Sequence, residues 1–315
     1  MRAGKPRRGR YICVAVLFGL PLLTAALSQG TGRWMSGAPM PSERSEVAVA
    51  AVDGKIYVVG GFDGQTDLEI YDPSADRWTR GASFPRAVHH AAAVGLKGKL
   101  LVIGGYIDGW TASDATYEYD PMTDRWRARA SLPTARGALG AAVIEGKIHA
   151  VAGVGRDRRN TGAHEVYDPA TDGWTVLPPL PTPRDHLAVA VLRGRLYAIG
   201  GRIDGRYSDN LPANEEYDPS TDRWQTRKPL PTARSGIAAA VLDGKIFVFG
   251  GESPSGTFNQ VEAYDPQVDA WSTYAPMPTA RHGLGAVAVG ERIYVIAGGP
   301  TPGGSASSRN EVFIP

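Results

Sequence analysis

Six tryptophans, Trp34, Trp78, Trp126, Trp174, Trp224 and Trp271, follow one another at steps of 44, 48, 48, 50 and 47 residues. A period of that length means a chain assembled from like units, each burying its apolar face only against a neighbour. Other residues keep the same step. A proline recurs 19 residues before a Gly-Gly or Ala-Gly pair, a tyrosine 7 before the tryptophan, and the tryptophan 7 before the next proline. Only the interval from the glycine pair to the tyrosine changes, taking 11, 15, 15, 17 and 14 residues. All length variation therefore falls in one loop per unit, carried on a constant frame.

Each unit reads as four strands. Strand a follows the proline and is built of small residues, as in Ala91-Ala92-Ala93 and Ala238-Ala239-Ala240. Asp53-Gly54 and Asp243-Gly244 are Asp-Gly pairs, which supply the left-handed dihedrals of a type I′ hairpin turn. Strand b is a β-branched and aromatic run, IYVV at 56–59 and IFVF at 246–249, of the kind strands favour. It stops at the glycine pair, where a side chain would obstruct the backbone. Strand c carries the tyrosine and halts at Asp-Pro, and strand d carries the tryptophan. Strands a and b are apolar runs rather than alternations, which predicts burial on both faces. Six strands converging on one axis need small side chains, which makes strand a the innermost. The expected fold is all-β: a six-bladed β-propeller of four-stranded antiparallel blades.

The glycine pair, the tyrosine of YDP and the tryptophan at these intervals resemble the kelch repeat. The likeness covers residues 31–315 in six copies, at about 41–78, 85–126, 133–174, 181–224, 231–271 and 278–315. Kelch domains are propellers of four-stranded blades, so the resemblance implies six blades here. The last copy runs out at Glu311–Pro315, in register with strand c, while Thr31–Trp34 matches strand d of the other copies. This implies a ring closed by residues 31–36, which complete the last blade.

Residues 1–28 stand apart. Arg2, Lys5, Arg7, Arg8 and Arg10 precede an apolar run from Tyr11 to Leu27, and Ala26-Leu27-Ser28 offers small residues at the two positions a signal peptidase reads. The segment reads as a cleaved secretory signal peptide, so the propeller over 29–315 is expected to be exported, periplasmic or extracellular. The competing reading is an anchor left in the membrane. Without the leader, 29 basic residues face 32 acidic ones, a net of −3, so the basic balance of the whole chain gives no argument for nucleic acid. The one cysteine, Cys13, lies in the leader. The remainder has no disulfide, zinc-thiolate site or cysteine nucleophile.

Strand directions put the Pro-x-x-Arg segments and the variable b–c loops on one face, and loops on a rigid scaffold carry binding. There an arginine recurs 16 residues before the glycine pair: Arg44, Arg136, Arg184, Arg234 and Arg281, with Val88 in copy two. Two residues on come Glu46, His90, Ala138, His186, Gly236 and Gly283. In kelch proteins that bind acidic peptides, arginines near this point line the channel mouth. The resemblance thus implies a ring of guanidinium groups suited to carboxylates. The alternative is that they tie the blade together. Glu69, Glu165, Glu215, Glu262 and Glu311 recur two residues before the tyrosine position, and the copy that lacks arginine has Tyr117 there. That joint loss points to Arg–Glu pairs. His90, His186 and His282 fall in alternate copies, but His282 is one residue out of register, so no metal ligand set is assigned and no cofactor is expected. Trp110, the one tryptophan off the repeat register, sits in a b–c loop with Tyr106, and Tyr207 occupies another. Aromatics on a polar rim suit sugar stacking or a protein contact.

The sequence carries no phosphate loop, HExxH or GxSxG. A galactose-oxidase-like copper centre needs a cysteine cross-linked to tyrosine, which Cys13 cannot supply. The first reading is a monomeric binding module, not an enzyme. It holds an acidic peptide or protein, or an anionic sugar, on the loop-rich face, through Arg44, Arg136, Arg184, Arg234, Arg281, His90, His186 and Trp110. The second is a carbohydrate-active enzyme resembling the six-bladed periplasmic sialic-acid mutarotases.

Overall fold

The computed structural model describes residues 32–62 and 66–315, together with Met1 and Gly4. The leader assigned to residues 1–28 otherwise lies outside the described residues. Those that are described form strands and turns with no helix.

Six four-stranded antiparallel sheets make the blades. Blade 1 is Ala48–Val52, Lys55–Val59, Leu68–Asp72 and Arg77–Gly81 in the order a, b, c, d. Blades 2 to 5 repeat this with strands a at Ala92–Leu96, Gly140–Ile144, Ala188–Leu192 and Ala238–Leu242. In blade 6, Gly285–Val289, Arg292–Ile296 and Asn310–Ile314 receive their outer strand from Arg33–Ser36, which pairs Arg33 with Ile314 and Ser36 with Glu311. The ring closes through the N-terminal strand, as the repeat register implies. The a–b turns from Asp53-Gly54 to Asp243-Gly244 hold both central residues left-handed, at φ 48–55° and then 71–78°, as a type I′ turn requires.

Strand b is buried along both faces. Strand a differs from expectation: buried residues alternate with half-buried ones, because its inner face borders the axis rather than another sheet. Crowding there explains its small residues. A Cβ at Gly140 would strike Val189, and one at Gly285 would strike Val49, in the neighbouring blade's strand a.

Blades are joined at the rim and at the glycine pairs. Each of the six repeat tryptophans donates its Nε1 to a carbonyl at the end of the preceding blade, as Trp78 to Ala38 at 2.8 Å and Trp174 to Ala130 at 2.9 Å. The aspartate two residues before the tryptophan accepts from the repeat tyrosine and from that same neighbour. Asp76 takes the Tyr71 hydroxyl and the Ala38 amide, both at 2.6 Å. The second glycine of each pair donates its amide to the next blade's repeat arginine carbonyl, as Gly153 to Arg184 at 2.9 Å, or in copy two to Val88.

Blade 3 carries two histidines where the other blades have aromatic or aliphatic residues (in place of His149) and Leu, Val, Thr or Asn (in place of His164). His149 Nδ1 and His164 Nε2 lie 2.9 Å apart, both buried. Burial pushes His149 down to about 4 and His164 to about 3. Both are neutral in the fold, whereas each takes a proton near pH 6.5 once unfolded. Their contribution is therefore complete above that value. It is lost as pH falls from there towards the folded values, by roughly 1.4 kcal/mol per pH unit for each proton the fold refuses. Urea unfolding between pH 7 and pH 4 should show this slope, and a His149→Leu/His164→Leu variant should flatten it. Parallel profiles would exclude the pair as its source.

Candidate functional site at the channel mouth

The five repeat arginines are not at the mouth. Arg44, Arg136, Arg184, Arg234 and Arg281 are 0–1% exposed and turn inward to the glutamates of strand c. Arg44 meets Glu69 at 2.8 Å, Arg136 meets Glu165 at 2.5 Å and Arg281 meets Glu311 at 3.2 Å; Arg184–Glu215 and Arg234–Glu262 complete the set. Each also donates to backbone where strand b ends, most fully in Arg184, whose Nε donates to Gly200 O at 2.7 Å and Nη2 to Ala198 O at 2.8 Å. A threonine hydroxyl caps each of four glutamates, as Thr182 on Glu215 at 2.8 Å, and Ser42 caps the fifth, Glu69, at 3.0 Å. This corrects the expectation of a guanidinium-lined channel. The left-handed turn at the glycine pair leaves carbonyls of strand b without a ladder partner, and a long donor-rich side chain from the d–a segment satisfies them. Copy two fills the same space with Val88, Phe84 and Tyr117.

The mouth is formed two residues further on. Glu46, His90, Ala138, His186, Gly236 and Gly283 all have positive φ, between 53° and 64°. Each donates its amide to the carbonyl of its counterpart one blade back: His90 to Glu46 at 3.0 Å, round to Glu46 to Gly283 at 2.7 Å. Six bonds thus circle the axis. Glycine takes this conformation freely, while a side chain there costs on the order of 1–3 kcal/mol. Four blades nevertheless keep one. A cavity of about 100 Å³ lies at the ring.

A basin of about 440 Å³ opens above it on the loop-rich face, lined by Glu46, Phe62, His90, Trp110, Arg202, Tyr207, Glu252 and His282. His90 and His186 line the cavity at the ring, and Trp110 stands at the rim of the basin, 56% exposed. Trp110 rests on His89, His90 and Tyr106, with ring centroids 5.0–5.3 Å apart. Tyr207 lies 5.7 Å from the Arg202 guanidinium.

The floor is a buried polar web. Arg202 donates to Glu252 at 2.6 Å, to Asp185 at 3.2 Å and to His186 Nε2 at 2.8 Å. His186 Nδ1 donates to Asp185. Burial would raise the Asp185 carboxyl, but His186, Asn160 and Arg202 outweigh it and hold it down to about 2. Burial likewise opposes the Glu252 carboxylate, and His282, the Gly303 amide and Arg202 together pull its pKa below the usual value. His90 Nε2 stands 3.3 Å from Glu46, and His282 Nε2 stands 3.7 Å from Glu46 and 3.6 Å from Glu252. Burial, with cationic neighbours, drives His90 well below the ordinary histidine value. His282, set aside on register, reaches the basin because the segment is kinked left-handed rather than pleated.

Reading the repeat missed Arg202, Glu252 and Phe62. A signal was present: each is the first residue after a glycine pair, as is Tyr106. That position pairs with the d–a segment, in bridges such as His89 with Tyr106, Asp185 with Arg202 and Ser235 with Glu252, and so turns its side chain to the mouth.

The model of the KLHDC2/KLHL20/DRC7 Kelch-repeats domain matches residues 32–201 and 178–313. A solved structure described as "Structure of YjhT" has the same fold, with a TM-score of 0.76 at 17% identity, covering 86% of this chain and 95% of that one. No curated protein matches the chain.

Proposed function

The chain belongs to the kelch-repeat family, and from that premise we propose that it is an exported propeller that binds a small sugar in the basin over the axial mouth. The observation that carries this reading is the half-exposed Trp110 beside a floor of Arg202, Glu252, Glu46 and His282. An aromatic face takes the apolar side of a sugar ring, and a mixed donor and acceptor floor takes its hydroxyls. Export rests on the basic start and apolar run of residues 1–28. The acidic-peptide reading loses its support, because the five arginines that favoured it are occupied inside the blades.

A second reading has its own support. His90, Glu46, His282 and Glu252 form a chain across the floor, each 3.3–3.7 Å from the next. Groups so placed can take a proton from a sugar hydroxyl and return one to the ring oxygen, which is the chemistry of an anomer-interconverting enzyme. A glycan array followed by calorimetry tests binding. Trp110→Ala is expected to raise Kd about tenfold, a loss of about 1.4 kcal/mol, with the melting temperature unchanged. Sugar affinity indifferent to Trp110 would remove the basin as the site. NMR exchange between anomers, faster with protein than without, would favour the enzyme.

A further inference from the structure

We propose that the channel mouth is a site for a divalent transition-metal ion of the zinc type, held by Glu46, His90 and His186. This goes beyond the sugar reading and does not depend on it. The three come from blades 1, 2 and 4 at the same ring position, all are buried, and one ligand atom of each lies within 4.8 Å of the others. Two imidazoles and a carboxylate are a set that zinc accepts, with bonds of about 2.0–2.2 Å and a fourth position left for water or substrate. The open side here faces the basin. Blades 3, 5 and 6 put Ala138, Gly236 and Gly283 in the ring, so no other metal-ligating side chain projects from it.

Hydrogen bonding aims the donors. Asp185 can only accept, so His186 Nδ1 carries the proton and Nε2 has the lone pair. His89 Nε2 faces the Gly109 carbonyl at 2.6 Å and must donate to it. With neutral rings, His89 Nδ1 is then the acceptor for His90 Nδ1–H at 2.5 Å, which leaves a lone pair on His90 Nε2. That nitrogen faces a carboxylate oxygen of Glu46 at 3.3 Å. Two lone-pair bearers meet with no hydrogen between them, and a cation there resolves the opposition. Carboxylate or neutral acceptors behind ligating histidines are how metal sites fix ring orientation, and Asp185 and His89 fill that positioning role. The ring also keeps Glu46, His90 and His186 in a left-handed conformation that glycine meets in blades 5 and 6. Strain of that kind gathers at functional sites.

Arg202 occupies His186 Nε2 at 2.8 Å in this structure. Loading requires it to let go of that nitrogen while keeping Glu252 and Asp185, which already hold two of its other nitrogens. The guanidinium is thus a competing cation at the same lone pair, and Arg202→Gln should bind metal more tightly than the wild type.

The test uses the whole propeller, stripped with a chelator and titrated with Zn²⁺ by calorimetry and with Co²⁺ by visible absorption. One equivalent per chain is expected, with Co²⁺ d–d bands and a rise in the melting temperature on loading. His90→Ala and His186→Ala should abolish all three, Asp185→Asn should weaken binding about 10–100-fold, and Ala138→Gly should leave the metal affinity unchanged. Absence of stoichiometric binding to the wild type at micromolar metal overturns the proposal, whatever the variants do. So does binding that survives both histidine substitutions. Sugar affinity measured on stripped and loaded protein separates the fate of this site from that of the ligand reading.

Discussion

Replacing Arg234 by methionine is expected to lower the free energy of unfolding by about 3–5 kcal/mol, a large share of the roughly 5–15 kcal/mol that holds a domain folded. The guanidinium is fully buried against Glu262 and also donates to Gly250 O at 2.8 Å and Val248 O at 3.2 Å. Methionine leaves the carboxylate buried with only the Thr232 hydroxyl, at 2.8 Å, and leaves strand-end carbonyls without donors. The double variant Arg234→Met/Glu262→Gln removes both charges. It should be more stable than the sum of the single losses implies, by about 1–3 kcal/mol. Copy two already lives this way, with Val88 and Tyr117 packed on Phe84. Urea unfolding of the four proteins, with ligand affinity measured alongside, decides the matter. Small additive losses of stability accompanied by lost binding would return the arginines to a ligand role.

A chain truncated to begin at residue 37 should melt about 10 °C lower or more and associate on warming. The truncation removes the four-residue pairing with Asn310–Ile314. It also removes Trp34, whose ring lies 4.9 Å from Phe313 and 6.1 Å from Phe249 and whose Nε1 donates to Ala275 O at 3.0 Å. Loss of a packed tryptophan alone costs about 3–5 kcal/mol, and the bared strand presents an edge to other chains. Thermal melting with light scattering is the measurement. A melting temperature unchanged by the truncation would show that blade 6 stands without its outer strand.

Much of this was legible because repetition turns a sequence into its own comparison. Six copies in register placed the strands, the closing segment and the variable loops. The joint absence of Arg and Glu from copy two pointed to the pairs. Where the arginines turn was not legible: a long side chain at the end of a d–a segment reaches either the mouth or the strand-b carbonyls, and residue type favours neither. The ring escaped for a different reason. Glutamate and histidine do not signal positive φ, so a pleated reading of the segment sent His282 away from Glu46 and Glu252. Arg202 and Glu252 fell in the loop whose length varies, where register with the other copies is hardest to trust. The aspartates behind the tryptophans, such as Asp76, looked like turn residues, and their second role in receiving the neighbouring blade is a tertiary fact.

The circle of six amide-to-carbonyl bonds at the mouth has a bearing on descent. Every blade gives one donor and takes one, all in the same rotational sense, so the circle has no first or last member. A lineage that grows by tandem duplication can add or drop a whole blade and keep the count of donors and acceptors equal. A partial copy leaves one blade with nothing to hand on. Point change at these positions is freer, since the links are made by backbone. Selection can therefore alter the side chains round the opening one blade at a time, as Glu46, His90 and His186 stand among Ala138, Gly236 and Gly283, without disturbing what holds the wheel at its hub.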